Sequence, residues 1–170
     1  MKRVIAYTKK RGETPLQALK RLREEDPKLE KEKLSYAGRL DPLAEGLLLV
    51  LVGDANKERE KYLNLPKKYV FEILFGWSTD TYDIAGKLVK TSLKKIPPLL
   101  LIENVSAFVG THEQSYPPYS SKPVQGRALF EWAREDRLSE IEIPTHSVEI
   151  YNATILKTGN MLGTELDKYV

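Results

Sequence analysis

Residues 38–52 read GRLDPLAEGLLLVLV, an aspartate set before a proline and followed by an almost unbroken aliphatic run. The run GLLLVLV (46–52) is continuous and short, which is the pattern of a strand covered on both faces. Asp41, just ahead of it, has two readings. Asp-Pro is a common turn-forming pair, so Asp41 can simply turn the chain into the strand. The second reading is a carboxylate held at the mouth of a site.

Upstream, RVIAY (3–7) reads as a strand, and TPLQ (14–17) has the form of a helix start, with Thr14 as N-cap, Pro15 first in the helix and Gln17 closing a capping box. Leu16, Leu19 and Leu22 recur at a spacing that predicts one apolar helix face. Downstream, Asp54 is placed to cap a charged helix, ANKEREKYL. KKYVFEILFG (67–76) alternates, with Tyr69, Phe71, Ile73 and Phe75 on one face of an expected strand. A polar loop, STDTYDIAG, and a further strand, KLVKT, follow. Pro97 and Pro98 open a helix running through Phe108, RALFEWARED reads as another helix, and SVEIYNATILK (147–157) as a long strand. Helices and strands alternate without a βαβ rhythm, so the fold class is α+β, and no linker divides the 170 residues into more than one domain.

The chain has no cysteine, which excludes disulfides and thiolate metal sites and points to a reducing, cytoplasmic setting. Its apolar runs are too short to span a bilayer, and the amino terminus has no signal-peptide core. Residues 1–40 carry 12 Lys or Arg against 6 Asp or Glu, whereas the rest carries 15 against 18. A basic first quarter suits contact with phosphates, or else a solvated helix face. Tyr69 is a core aromatic or a stacking one. PPYSSKPVQGRALFEWAR places Lys122 and Arg127 among aromatics, suited to single-stranded bases or to a proline-rich surface loop. TDTYDIAG does not have the spacing of a calcium loop, and neither His112 nor His146 lies in a nucleophile–base pattern.

In this order, GRLDPLAEGLL, KKYVFEILFGWSTDTYDIAG and PPYSSKPVQGRALFEWAR resemble the three successive motifs of the TruB-type tRNA pseudouridine-55 synthases. The resemblance runs from about residue 4 to about residue 156. It implies the pseudouridine synthase fold, a mixed and largely antiparallel sheet with flanking helices and a central RNA cleft. It also implies that Asp41 is the catalytic aspartate, that Tyr69 stacks on the target base, and that tRNA is the partner. No metal, cofactor or membrane is called for. A monomer is expected, with a partner chain able to complete the site.

Several positions depart from the family pattern. Lys9, Gly12 and Thr14 match its first motif, but Lys10 stands in place of a proline. Tyr36 occupies a position usually held by histidine and could still stack, and Arg39 gives GRLD, similar to ribosomal-RNA pseudouridine synthases. Lys9, Arg39, Lys122 and Arg127 are thus candidate contacts to phosphate or base. The family continues with a motif whose arginine pairs with the aspartate, and with an RNA-binding domain. Here no arginine follows Arg137. A substitute cation, a shortened chain of impaired activity, or strands supplied by a partner would each account for this. A non-catalytic RNA-binding or tRNA-folding helper on the same scaffold is the alternative function.

Overall fold

The structure is a computed structural model and describes residues 2–92 and 94–160. It divides into two compact units, Met1–Phe71 and Glu72–Val170.

The first unit is built on a three-stranded antiparallel sheet. β1 (Lys2–Lys9) pairs with β3 (Gly46–Gly53) from Lys2 opposite Gly53 to Lys9 opposite Gly46. β2 (Leu34–Ala37) pairs with the other edge of β3, giving the order β1-β3-β2. The aliphatic run therefore becomes the central strand, and its alternate residues face opposite sides. Leu48, Val50 and Val52 pack with Ala18, Leu19, Leu22 and Leu29 on one side. Leu51 packs with Ala37 and Ala55 on the other. This is the two-faced burial that the continuous apolar pattern predicts.

The helix α1 (Pro15–Glu25) begins as its sequence dictates. Thr14 accepts a hydrogen bond from the Gln17 amide at 3.2 Å, and the Gln17 side chain accepts from the Thr14 amide at 2.7 Å. Its buried face comprises Pro15, Ala18, Leu19 and Leu22, whereas Leu16 is exposed. The helix angle puts Ala18, rather than Leu16, on the stripe with Leu22. Asp54 does not cap a helix. It lies inside a 3-10 turn, Asp54–Glu58, that leads into α2 (Arg59–Leu63), and its carboxylate pairs with Lys57 at 2.6 Å.

Among the described residues, 66–75 pair with no neighbouring strand. The segment has no regular structure, and Tyr69 and Phe71 stand 67% and 74% exposed. The expected alternation is present in the residues, but a strand exists only where a neighbour accepts its backbone hydrogen bonds.

The described residues of the second unit hold three small antiparallel pairs. β4 (Trp77–Thr79) pairs with β5 (Leu88–Thr91), and β6 (Gly110–Ser115) with β9 (Thr145–Ile150). β7 (Pro123–Val124) pairs with β8 (Arg127–Ala128) through a turn in which Gln125 and Gly126 both have positive φ, 50° and 81°. α3 (Pro98–Ala107) occupies nearly the span that Pro97 and Pro98 predict. α4 (Leu129–Arg134) is shorter than expected, because Arg127 and Ala128 are taken by β8. The strand expected over 147–157 ends at Ile150, where β6 stops offering partners. Mixed α and β structure with small antiparallel sheets agrees with the α+β class.

Candidate RNA-modification site

Asp41 occupies a turn after β2, and its carbonyl accepts a hydrogen bond from the Ala44 amide at 3.0 Å. Pro42, second in that turn, supplies the fixed φ such a turn favours. Asp41 is thus a turn former, and its side chain is also exposed. The first reading does not exclude the second: the turn holds the carboxylate at the surface instead of in the core.

The turn is held from below. Lys9, at the end of β1, is fully buried, and its ammonium donates to the carbonyls of Ala44 at 2.6 Å, Lys10 at 3.1 Å and Pro42 at 3.3 Å. The Gly12 amide donates to the same Pro42 carbonyl at 2.8 Å. A buried ammonium is tolerated only when its protons find acceptors, and here the acceptors belong largely to the Asp41 turn. Lys9 was expected to contact RNA. Its side chain has no surface to offer and serves instead as the anchor of this turn.

A second network braces the same corner. Arg21 donates to both carboxylate oxygens of Glu13 at 3.0 Å, to the Thr8 carbonyl at 2.8 Å and to the Tyr7 hydroxyl. The Lys10 amide adds a further bond to Glu13 at 2.9 Å. The Arg21 guanidinium lowers the Glu13 carboxyl from its ordinary value to about 2. Tyr7 is pushed up to about 12, first by burial and then by its hydrogen bond to Glu25. The sequence reading missed this network, whose members lie at separations such as 8 and 14 that match no helix or strand repeat.

The other candidates divide. Arg39 is exposed just after Gly38, whose φ of +82° suits glycine at the end of β2. Tyr36 lies in β2 and its ring packs against the main core cluster, so it is less free to stack than its position in the motif implies. Tyr69 is exposed.

In the second unit, the Lys122 ammonium sits 5.0 Å from the centre of the Tyr116 ring, whose other neighbour is His146, stacked at 4.4 Å. Arg127 is committed internally. It forms a two-pronged pair with Glu135, approaches Glu131 at 3.7 Å and lies 4.8 Å over Trp132. Arg137 approaches the same ring at 5.1 Å and also binds Glu135. Arg127 is thus tied to α4 through carboxylate pairs that remain about a third exposed or more. Motifs two and three meet in this unit, where the Tyr119 hydroxyl donates to Asp80 at 3.4 Å.

Among the described residues, no three His, Asp or Glu side chains gather into a metal-binding group. No described helix is long and apolar enough to cross a membrane.

Residues 27–167 match the TruB family pseudouridylate synthase (N terminal domain). The chain is 34% identical over 149 residues to tRNA pseudouridine synthase B of Aquifex aeolicus, covering 86% of this chain and 51% of that one. It is 36% identical over 156 residues to the protein of that name in Lactobacillus acidophilus, covering 90% and 50%. A third relative, tRNA pseudouridine synthase 4 of Schizosaccharomyces pombe, is 39% identical over 115 residues, covering 68% and 28%. The chain spans about half the length of the two bacterial relatives. With its aspartate turn, TDTYD loop and PPYSS loop in the family's order, this chain belongs to the TruB family of pseudouridylate synthases, within the part that forms the N-terminal domain.

Proposed function

We propose that this chain isomerises a uridine of tRNA, in the T arm at position 55, to pseudouridine. With that reading goes the finer architecture of a largely antiparallel sheet bearing an RNA cleft. The observation that carries it is the presentation of Asp41, exposed on a turn that a buried lysine fixes from beneath. A catalytic carboxylate needs this combination of access and a fixed backbone.

The reaction is redox-neutral and its atoms balance. The C1′–N1 bond breaks, the uracil turns, and C1′ bonds to C5. The hydrogen on C5 leaves as a proton, and N1 gains one. Asp41 acts at the sugar, as nucleophile on C1′ or as base at C2′. The base must first leave its stack, and Tyr69 offers it an aromatic face that offsets part of that cost. Arg39 and Lys122 are the cations assigned to phosphate or base.

The test is tritium release from tRNA labelled at uracil C5, comparing the parent with Asp41→Asn. Release by the parent and none by the variant, with tRNA affinity kept, is the expected outcome. Equal release by both removes Asp41 from the chemistry. Binding without release from either supports the helper function.

A further inference from the structure

The loop joining β4 to β5 is closed almost entirely on itself. The Asp80 amide donates to the Lys87 carbonyl at 3.1 Å, and the Lys87 amide returns a bond to the Asp80 carboxylate at 2.7 Å. Asp83 accepts from the Thr81 hydroxyl at 2.8 Å and the Ala85 amide at 2.9 Å, while its carbonyl accepts from the Thr79 hydroxyl at 2.7 Å. Gly86 sits so close inside that a Cβ there would lie 2.2 Å from the Thr81 hydroxyl and 2.9 Å from the Thr79 Cβ.

Tyr82 joins this arrangement only through its backbone, whose amide donates to the Thr79 carbonyl at 3.4 Å, and its ring stays outside it. It sits in the left-handed region with φ of 64°, yet its side chain is 72% exposed. That conformation favours glycine or asparagine, and a bulky aromatic holds it only at a cost in strain. Burial does not offset the cost, because the ring points into solvent. The loop thus presents an aromatic ring to solvent on a backbone fixed by its own hydrogen bonds.

The geometry points to Tyr82 as a stacking platform for an unpaired base of the RNA substrate, a contact additional to Tyr69. The inference rests on the RNA reading given above. An exposed aromatic on a hydrogen-bonded backbone, with few side-chain torsions to fix on binding, suits stacking on a splayed base. Lys87 closes the same loop and Lys90 follows on β5, both exposed, while the carboxylates nearer Tyr82 in the chain, Asp80 and Asp83, are taken up by hydrogen bonds within the loop. The Tyr119–Asp80 bond holds the PPYSS loop against this one, so both motifs lie at the same surface.

The experiment compares the full chain with Tyr82→Asn and Tyr82→Phe, using an unmodified tRNA transcript at several salt concentrations, together with thermal unfolding. Asparagine suits the backbone, so Tyr82→Asn is expected to unfold at the same or a higher temperature than the parent. It is also expected to bind the transcript about tenfold more weakly, with the slope of affinity against salt unchanged, because a stack and not a phosphate contact has been removed. Tyr82→Phe keeps the ring and is expected to bind like the parent. Parent-like binding by Tyr82→Asn, or loss of binding by Tyr82→Phe equal to that of Tyr82→Asn, overturns the stacking role while leaving the functional reading intact. A parent that binds no tRNA overturns both.

Discussion

Two stretches of this chain, GLLLVLV (46–52) and YVFEILF (69–75), each hold six hydrophobic residues in seven and are opposite in fate. The first is paired on both edges and, apart from Leu47 near its start, buried or half-buried on both faces. The second has no regular structure and leaves Tyr69, Val70, Phe71 and Ile73 exposed. Hydrophobic pattern makes a segment fit to be a strand, but pairing is a property of its neighbours. β1 and β2 flank the first stretch on either side, whereas the described residues supply no ladder for the second.

The sharpest way to break this comparison is to cut one side chain from each stretch. Leu51→Ala, at a fully buried site, is expected to cost about 3 kcal/mol by denaturant unfolding. At the end of β1, Lys9→Met removes the donor shared by the Pro42 and Ala44 carbonyls. A loss of about 2 kcal/mol is expected in the same assay, together with lower turnover from a loosened Asp41 turn.

Acid should probe the neighbouring network. Folding lowers the Glu13 carboxyl from 4.5 to about 2, so the unfolded chain binds the extra proton between those values. The stabilisation is complete above pH 4.5 and falls away as the pH drops toward 2, by about 1–2 kcal/mol. In Glu13→Gln that part of the acid dependence should be missing from a pH series of unfolding midpoints.

Smallest of all, Phe71→Ser should change stability by no more than about 0.5 kcal/mol, because its ring is already in water. If it cost as much as Leu51→Ala, residues 69–75 would be paired in solution and the contrast would fail.

What could be read from the sequence was local or periodic. The Thr14–Gln17 capping box, the central strand and the α3 start at Pro98 each follow from a few adjacent residues, and each is found. The Asp41 turn was legible from Asp-Pro. Hidden features depend on which long-range partner a side chain finds. Nothing near Lys9 in the chain says that its acceptors lie at positions 42 and 44, and nothing near Arg127 says that Glu135 will neutralise it. A motif names the residue that matters without saying which way its charge is turned. That is why two of the cations expected at RNA, Lys9 and Arg127, are found bonded to groups of their own chain.

The sequestered ammonium of Lys9 has one further consequence. A lysine with no exposed surface cannot be acylated while the three carbonyls hold it, whereas exposed lysines such as Lys87 and Lys90 react at once. Slow labelling at Lys9 by an amine reagent would therefore time the opening of the Asp41 turn, giving a chemical clock for that motion that needs no RNA.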